Sequence, residues 1–392
     1  MKNAITTLRI QNFKSIKDVE MKPRRVNIII GEPNVGKSNI LEAMSLLGGM
    51  VYDKKRRFME GMVRYEKANQ LFFDNLVANV VMVESDTHIC VIGFGKDKTF
   101  QSLYTNKKNW NALMNQLIPE LKKSSYKNSS DEEQSIIIEE RINKAFDNAP
   151  FSPDYVAVKF KENGIKLPEY IDSPSISSAK EIQRVRIRPY LFNKRNSVNQ
   201  EYNTKYLQPP SGDNLKSVIQ TYAPLRQEVT RLFSRYGLKL MLHMENKQLE
   251  VIKDLDGVIY SYPYSSTADT LQRLIFYLAA IESNDDAVIL LEEPEAHSYP
   301  VYVSQLGQRI VESRNNQFFV ATHSPYLITE ILEEMLTDDE LTPELAMFVA
   351  YYEDYRTKVR QLTDDEVIAI RADGLDVFYN MARFVPGPDN KL

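Results

Sequence analysis

Apolar and polar residues alternate through residues 4–22, around Ile5, Leu8, Ile10, Phe13 and Ile16. A period of two residues is typical of strands, so this region predicts two strands with a bend near Asn12. Residues 26–30 form a continuous apolar run, which predicts a buried strand of a parallel sheet. A helical pattern begins at residue 39 and stops at the Gly48-Gly49 pair.

The remaining pattern predicts a second kind of sheet and then a return to parallel strands. The runs VANVVMV and HICVIGF within residues 71–105, separated by turn residues, predict an antiparallel β subdomain. Residues 107–149 are largely polar, although IIIEERINKAF predicts a helix. A helical segment interrupted at Pro224, three short strands, a further helix and two buried strands follow. These elements cover residues 212–237, 238–244, 248–253, 258–262, 271–281, 287–291 and 318–321.

The composition of the chain limits the classes of protein and partner that fit this organisation. The 392 residues are 43% hydrophobic and 26% charged, which is typical of a globular protein with a sizeable core. The net charge of −4 provides no overall basic field, so binding to DNA requires a local patch. The single Cys90 excludes an internal disulfide framework. No signal-peptide core or long apolar run is visible, so we expect a cytoplasmic protein without membrane contact.

The turn after the first buried strand has the chemistry of a phosphate-binding loop. GEPNVGKSN fits G-x-x-x-x-G-K-[ST], with a strand before it and a helix after it. Backbone N–H groups and the helix N-terminus favour phosphate there, while Lys37 bridges the β- and γ-phosphates of ATP and Ser38 ligates Mg²⁺. We expect the whole loop to bind nucleotide, namely Gly31, Glu32, Pro33, Asn34, Val35, Gly36, Lys37, Ser38 and Asn39.

Paired carboxylates follow a later buried strand. AVILLEEPEAHSYP delivers Glu292 and Glu293 at the strand end, which is the Walker B arrangement. We expect Glu292 to hold Mg²⁺ with Ser38 and Glu293 to orient or deprotonate the attacking water. Glu292 stands where Asp is usual. Glu295 and His297 could contribute to a metal site, but the sequence offers no third ligand at suitable spacing.

Two further segments complete the candidate site. FFVATHSPYL places His323 at the end of a buried strand, where it can reach the γ-phosphate or the attacking water, although a packing role stays open. YSSTADTLQRL opens a helix with Ser266, Thr267 and Asp269, which fit a simple N-terminal cap or a loop that contacts a partner's ATP.

The strings LRIQNFKSIKD, GEPNVGKSNILEAM, LLEEPEAHSYP and ATHSPYL, in this order, resemble the ABC-type ATPases of the SMC, RecF and OLD group, specifically AAA-15/AAA-21-type prokaryotic families. The resemblance implies a P-loop NTPase of the ABC-head type and an ATP-dependent homodimer. It also implies Glu293 as the catalytic carboxylate and His323 as the switch histidine. The resemblance further implies four parts of the chain. Residues 1–106 form the N-terminal part of the head, and residues 107–237 form a mainly helical insertion. Residues 238–335 form the C-terminal part of the head, and residues 336–392 form an extension that completes it.

Several features differ from the usual ABC-type pattern, and others argue against a nuclease domain or a GTPase. The signature-like segment from Ser266 to Thr270 lacks the usual glycine, which favours slow hydrolysis, and we cannot place the Q-loop glutamine. Only 69 residues follow His323, without the acidic pattern of a Toprim domain, so we expect a separately encoded effector. A GTPase is excluded because no Asn-Lys-x-Asp motif for guanine is present.

Three functional hypotheses therefore remain at the level of sequence. The first is a nucleotide-switched dimer that controls a partner in anti-phage defence or genome maintenance. The second is a RecF-like repair ATPase, since Arg184, Arg186 and Arg188 alternate on one predicted strand face that could follow DNA, although the overall charge favours a solvated strand face instead. The third is an ATP-binding scaffold or sensor with little hydrolysis, which the missing glycine favours.

Overall fold

The chain is described by a computed structural model over residues 1–53, 55–112, 155–168, 186–194, 205–243 and 249–386. The helix predicted from IIIEERINKAF and the polar stretch before it lie outside these ranges, as does Arg184. None of the described helices is both long and apolar enough to cross a membrane.

The described strands and helices are numbered separately in chain order. The strands are β1 Leu8–Phe13, β2 Ile16–Met21, β3 Val26–Ile30, β4 Val81–Ser85, β5 His88–Phe94, β6 Phe100–Asn106, β7 Val156–Phe160, β8 Ile187–Tyr190, β9 Leu238–Leu242, β10 Leu249–Leu255, β11 Val258–Pro263, β12 Val288–Glu292, β13 Gln317–Ala321, β14 Leu345–Glu353 and β15 Arg356–Gln361. The helices are α1 Lys37–Leu46, α2 Leu215–Thr221, α3 Ala223–Ser234, α4 Asp269–Glu282, α5 Pro300–Glu312, α6 Pro325–Leu336 and α7 Asp364–Ala372.

The strands form one antiparallel sheet, one mostly parallel core sheet and one small sheet. The antiparallel sheet has the order β2-β1-β4-β5-β6-β7, and the small sheet has the order β11-β10-β9. The core sheet runs β15-β14-β3-β13-β12-β8, and only its β14–β15 pair is antiparallel. The prediction of an α/β fold with an antiparallel β subdomain and a mostly parallel core sheet is confirmed.

The core sheet is buried on both faces, which explains the continuous apolar runs that encode its strands. In β3, Ile29 packs with α1 and the antiparallel sheet, while Ile28 and Ile30 pack with residues of the later helices. Successive side chains of a strand point to opposite faces, so a strand with helices or sheets on both sides needs apolar residues at every position. Because β3, β13 and β12 pair in parallel, their carboxyl ends lie at the same edge of this buried sheet.

The segment 107–237 contains more than the predicted helices. Besides α2 and α3 it contributes β7 to the antiparallel sheet and β8 to the core sheet, so the prediction of a mainly helical insertion is incomplete. Residues 336–392 supply β14 and β15, with β14 directly beside β3. The division of the chain into four parts stays a prediction.

Candidate active site

The phosphate-binding loop lies between β3 and α1, as its motif requires. Gly36 forms the N-terminal cap of α1 with a left-handed backbone, φ 97°, which glycine adopts without strain. A Cβ atom at Gly31 would lie 2.3 Å from the carbonyl oxygen of Ala350 in β14. Glycine at these two positions therefore permits both the turn and its close contact with the neighbouring strand. The helix N-terminus faces the end of the core sheet, where N–H groups favour an anion.

Lys37 is buried beneath the loop, with 6% of its surface exposed. Its Nζ donates hydrogen bonds to the carbonyl oxygens of Gly31, at 2.9 Å, and Glu32, at 2.8 Å. Burial lowers the pKa of Lys37 to about 8, and the nearby carboxylates of Glu293 and Glu292 limit that fall. Lys37 therefore changes between ammonium and neutral amine near pH 8, and a bound polyphosphate would stabilise the ammonium form.

We expect ATP affinity to fall as the pH rises from 7.5 to 9. The pKa of Lys37 is near 8 without nucleotide, and phosphate binding favours its protonated form, so binding should take up protons around pH 8. At pH 9 most chains would hold neutral Lys37, and the affinity should be about tenfold weaker than at pH 7.5. Calorimetry in two buffers of different ionisation enthalpy measures this uptake. Lys37→Arg, which stays charged, should bind with a pH-independent affinity, and a pH-independent wild type would contradict the prediction.

Glu292 at the end of β12 takes part in an ion-pair network that the sequence did not reveal. Arg64 donates from Nη2 to Glu292 Oε1 at 2.8 Å and from Nε to Glu42 Oε1 at 2.6 Å. Glu42 is buried in α1 and is also paired with Lys14. A lone acid inside the apolar face of a helix was an available signal for Glu42. Arg64 lies in an irregular segment, where no periodicity marks it.

Glu293 and His323 lie close together at the ends of β12 and β13. Their Oε1 and Nε2 atoms are 3.7 Å apart, and the Glu293 side chain is 51% exposed. The Glu293 backbone has a left-handed φ of 42°, and its N–H donates to the Ala321 carbonyl at 2.8 Å. Burial and the charge of Lys37 lower the pKa of His323, while Glu293 opposes this shift. A neutral imidazole beside an exposed carboxylate suits the positioning of water or phosphate.

Glu295 connects the turn after β12 to the His323 loop. Its Oε1 accepts a hydrogen bond from Thr322 Oγ1 at 2.6 Å and one from the His323 N–H at 3.0 Å. Burial raises the pKa of this carboxyl. Within the described ranges no three His, Cys, Asp or Glu side chains are arranged to hold a metal ion. Glu295 therefore contacts the backbone next to the histidine and does not form a metal site with His297.

The side chains of the signature-like segment, Ser266, Thr267 and Asp269, hydrogen bond within that segment and α4. Ser266 Oγ donates to the Pro263 carbonyl at 2.7 Å, and Thr267 Oγ1 donates to the Tyr264 carbonyl at 2.7 Å. Asp269 opens α4 and accepts from Arg273 at 2.9 Å. Ser266 and Thr267 line a cavity of about 770 Å³ with side chains that include Tyr236, Tyr299 and Tyr302, and no residue of the phosphate loop lines it.

The described part of the basic strip, Arg186 and Arg188, does not form a strand face open to nucleic acid. In β8 every residue is buried, and Arg188 is only 5% exposed. Its guanidinium lies 3.4 Å from the centre of the Tyr206 ring and hydrogen bonds to Asn284. Arg186, just before the strand, donates to the Asp285 carbonyl at 2.7 Å. The prediction of alternating exposed arginines is wrong at Arg188, because β8 joins a core sheet that is covered on both faces.

The site residues are brought together by different elements. The phosphate loop, Glu292, Glu293 and His323 meet at one edge of the core sheet, because parallel strands end on the same side. The charge of Glu293 acts on the pKa of both Lys37 and His323, and the charge of Lys37 lowers the pKa of His323, as expected for groups that share one edge of the sheet. Ser266, Thr267 and Asp269 hydrogen bond within their own segment and α4, whereas the next residue, Thr270, donates to the His297 carbonyl at 2.9 Å.

Comparisons with known proteins place this geometry in a family. The AAA ATPase domain family matches residues 1–328. No curated protein is similar enough in sequence to count as a relative.

Among solved structures, an SMC head bound to the C-winged helix domain of ScpA is 14% identical, with 93% of this chain and 99% of that chain covered and a TM-score of 0.46. The SMC head domain of Thermotoga maritima is 12% identical, with coverage of 92% and 99% and a TM-score of 0.38. An Smc head domain with an extended coiled coil from Pyrococcus furiosus is 13% identical, with coverage of 94% and 98% and a TM-score of 0.46.

The family match spans most of the chain and includes the phosphate loop, the paired carboxylates and His323. The chain belongs to the AAA ATPase domain family, and it is an ATPase.

Proposed function

We propose that the chain acts as an ATP-switched homodimer that hydrolyses ATP with Mg²⁺ and thereby controls a separately encoded partner. The cavity beside the signature-like segment, which no residue of the phosphate loop lines, carries this proposal. Ser266 and Thr267 donate hydrogen bonds to carbonyls of their own turn and line a cavity to which Lys37 does not contribute. A second copy related by twofold symmetry would supply these hydroxyls to the γ-phosphate, and each chain would complete the site of the other.

The remaining residues support hydrolysis in each site. Lys37 would leave the Gly31 and Glu32 carbonyls and bind the β- and γ-phosphates of ATP. Glu293 would orient the attacking water and accept its proton, and neutral His323 would donate a hydrogen bond to the γ-phosphate. Hydrolysis would then remove the group that holds the two chains together.

The residues present fit a bound Mg²⁺ ion. Ser38 at the start of α1 and Glu292 at the end of β12 offer a hydroxyl and a carboxylate, the oxygen ligands that Mg²⁺ prefers. Arg64 pairs with one oxygen of Glu292, at 2.8 Å, and would have to share or release it. Mg²⁺ would neutralise the charge of the phosphate oxygens. Nucleotide binding follows from the family, and the metal is part of our proposal.

The resemblance to SMC- and RecF-type ATPases supports a cytoplasmic role in anti-phage defence or genome maintenance. We propose that the effector recognises the ATP-bound dimer and is released from single chains. Affinity capture should therefore recover it with a variant that retains ATP and fail with a variant that cannot bind ATP. Capture of the same partner by both variants would contradict control by nucleotide.

A mixing experiment tests the shared site directly. Lys37→Met removes the phosphate contact of a chain, and Ser266→Glu places a carboxylate where the partner's γ-phosphate would lie, so each variant should be inactive alone. In a twofold dimer, random mixing forms one intact site in half of the dimers, so about a quarter of wild-type activity should return. The control mixture of Lys37→Met with Glu293→Gln should stay inactive, because both changes act in the chain that binds the ATP. No recovery with Ser266→Glu would contradict the dimer.

A further inference from the structure

A chain of hydrogen bonds reaches the phosphate loop from the C-terminal part of the protein. Asn39 Nδ2 donates to Ser15 Oγ at 2.7 Å, and Ser15 Oγ lies 2.6 Å from Thr357 Oγ1. Thr357 Oγ1 donates to the Val35 carbonyl at 2.8 Å. Because the only hydroxyl hydrogen of Thr357 goes to Val35, Ser15 donates its own hydrogen to Thr357. We call Asn39, Ser15, Thr357 and the Val35 carbonyl the hydroxyl relay.

The relay acts on the peptide group that leads into α1. The Val35–Gly36 peptide is trans, so its C=O and N–H point in opposite directions within one plane. A hydrogen bond that holds the Val35 carbonyl against Thr357 therefore turns the Gly36 N–H to the side of the peptide away from Thr357. Orientation of such N–H groups is what a phosphate loop needs in order to bind anions.

Gly36 is the residue that lets Thr357 approach. A Cβ atom at Gly36 would lie 2.2 Å from Thr357 Oγ1 and 2.9 Å from Ser15 Oγ. Thr357 is 1% exposed, so no water replaces its hydroxyl when it is removed, and the Val35 carbonyl would lose its partner. The second glycine of the loop thus serves the relay as well as the turn.

Strand pairing alone does not account for these contacts. The β14–β3 ladder joins the hairpin of β14 and β15 to the other strands of the core sheet, and the Thr357 N–H donates to the Ser15 carbonyl at 2.8 Å. The relay is an additional connection, made by side chains, that ends on the loop. Thr357 lies beyond residue 328, where the family match stops, whereas Ser15 lies in the string that carried the family resemblance.

We propose that Thr357 and Ser15 are positioning residues for ATP, so that the hairpin of β14 and β15 forms part of the nucleotide site. They touch no substrate and act through the Val35–Gly36 peptide. The relay fixes the loop before nucleotide arrives and reduces the ordering that binding requires. This inference rests on ATP binding at the loop, and it is independent of the proposed dimer and partner.

The decisive comparison is Thr357→Val against Thr357→Ser. Valine keeps the branched shape and removes the hydroxyl, so the Kd and KM for ATP should rise about tenfold, the effect of one lost hydrogen bond, with kcat within about twofold. Serine keeps the hydroxyl and should restore both constants. Thr337→Val serves as the matched control, since its hydroxyl contacts only carbonyls of α6 and ATP binding should not change.

Calorimetry with ATP, steady-state kinetics and the melting temperature without nucleotide separate positioning from folding. A folded Thr357→Val protein with wild-type ATP affinity overturns the proposal, as does a loss that Thr357→Ser does not restore. Ser15→Ala breaks the relay one step earlier and should also raise the Kd for ATP. If Thr357→Val does not fold, the ATP affinity of Ser15→Ala tests the relay, and wild-type affinity in that variant overturns it. A wild-type chain that binds no ATP overturns the nucleotide site itself, whereas intact wild-type binding with unchanged variants overturns only the relay.

Discussion

Lys37→Met should weaken ATP binding by at least about 100-fold, since the variant loses two or more charge-assisted hydrogen bonds of about 1.5–3 kcal/mol each. The side chain is buried under the loop, and among the described residues its hydrogen-bond partners without nucleotide are the Gly31 and Glu32 carbonyls. Methionine fills nearly the same volume and removes a buried charge, so the fold should persist. Calorimetry or thermal stabilisation by ATP measures the loss, because a bound ligand stabilises the folded chain by a free energy that grows with the logarithm of its concentration divided by Kd.

A matched lysine separates this effect from general loss of charge. Lys17 lies on β2 and is exposed, so Lys17→Met should leave ATP affinity within about twofold. Binding by Lys37→Met within about threefold of the wild type would show that the loop does not use this ammonium for phosphate. Loss of binding in both variants would point instead to a long-range electrostatic contribution.

Glu293→Gln should lower kcat by about 10²- to 10⁴-fold, the range in which a general base contributes, with ATP affinity retained. The carboxylate is half-exposed at the end of β12 and lies 3.7 Å from His323, where it can reach a water molecule. Glutamine keeps the size and loses the basicity. Because hydrolysis would end the ATP-bound state, the variant should accumulate as an ATP-bound dimer, with a mass twice the 45.3 kDa of one chain.

Glu334→Gln is the control for this substitution, since that side chain is exposed on α6, and its turnover should match the wild type. Light scattering with ATP and Mg²⁺ measures the mass, and phosphate release measures the rate. A variant that stays monomeric with bound ATP counts against the dimer. Equal, very slow turnover of wild type and Glu293→Gln would favour the scaffold or sensor hypothesis.

The sequence predicted the elements that carry the phosphate loop well, and the reasons are local. β3 spans the predicted residues, and α1 begins at Lys37, two residues before the predicted start. Glycine and apolar periodicity are short-range signals, since a left-handed turn and a doubly buried strand each demand particular residues in place. The helix interrupted at Pro224 also appears, as α2 and α3 on either side of Tyr222.

The same reasoning failed where burial depended on distant segments. Arg188 alternates with apolar residues as an exposed strand would, yet β8 pairs with β12 and is covered on both faces. Arg64 and Glu292 are 228 positions apart and meet only in the folded chain. No periodicity in the sequence indicates such a contact, because each of the two residues, taken alone, has the pattern of an ordinary charged surface residue.

By itself the sequence determined the strand, glycine loop and helix that bind phosphate, the carboxylates after β12 and the histidine after β13, because each depends on a few consecutive residues. Only the tertiary structure decided that Thr357 hydrogen bonds to both Val35 of the loop and Ser15, that Arg64 pairs with Glu292, and that the cavity beside Ser266 and Thr267 has no wall residue from the phosphate loop. These relations join residues hundreds of positions apart, and their geometry is set by sheet order and packing, which local pattern does not contain.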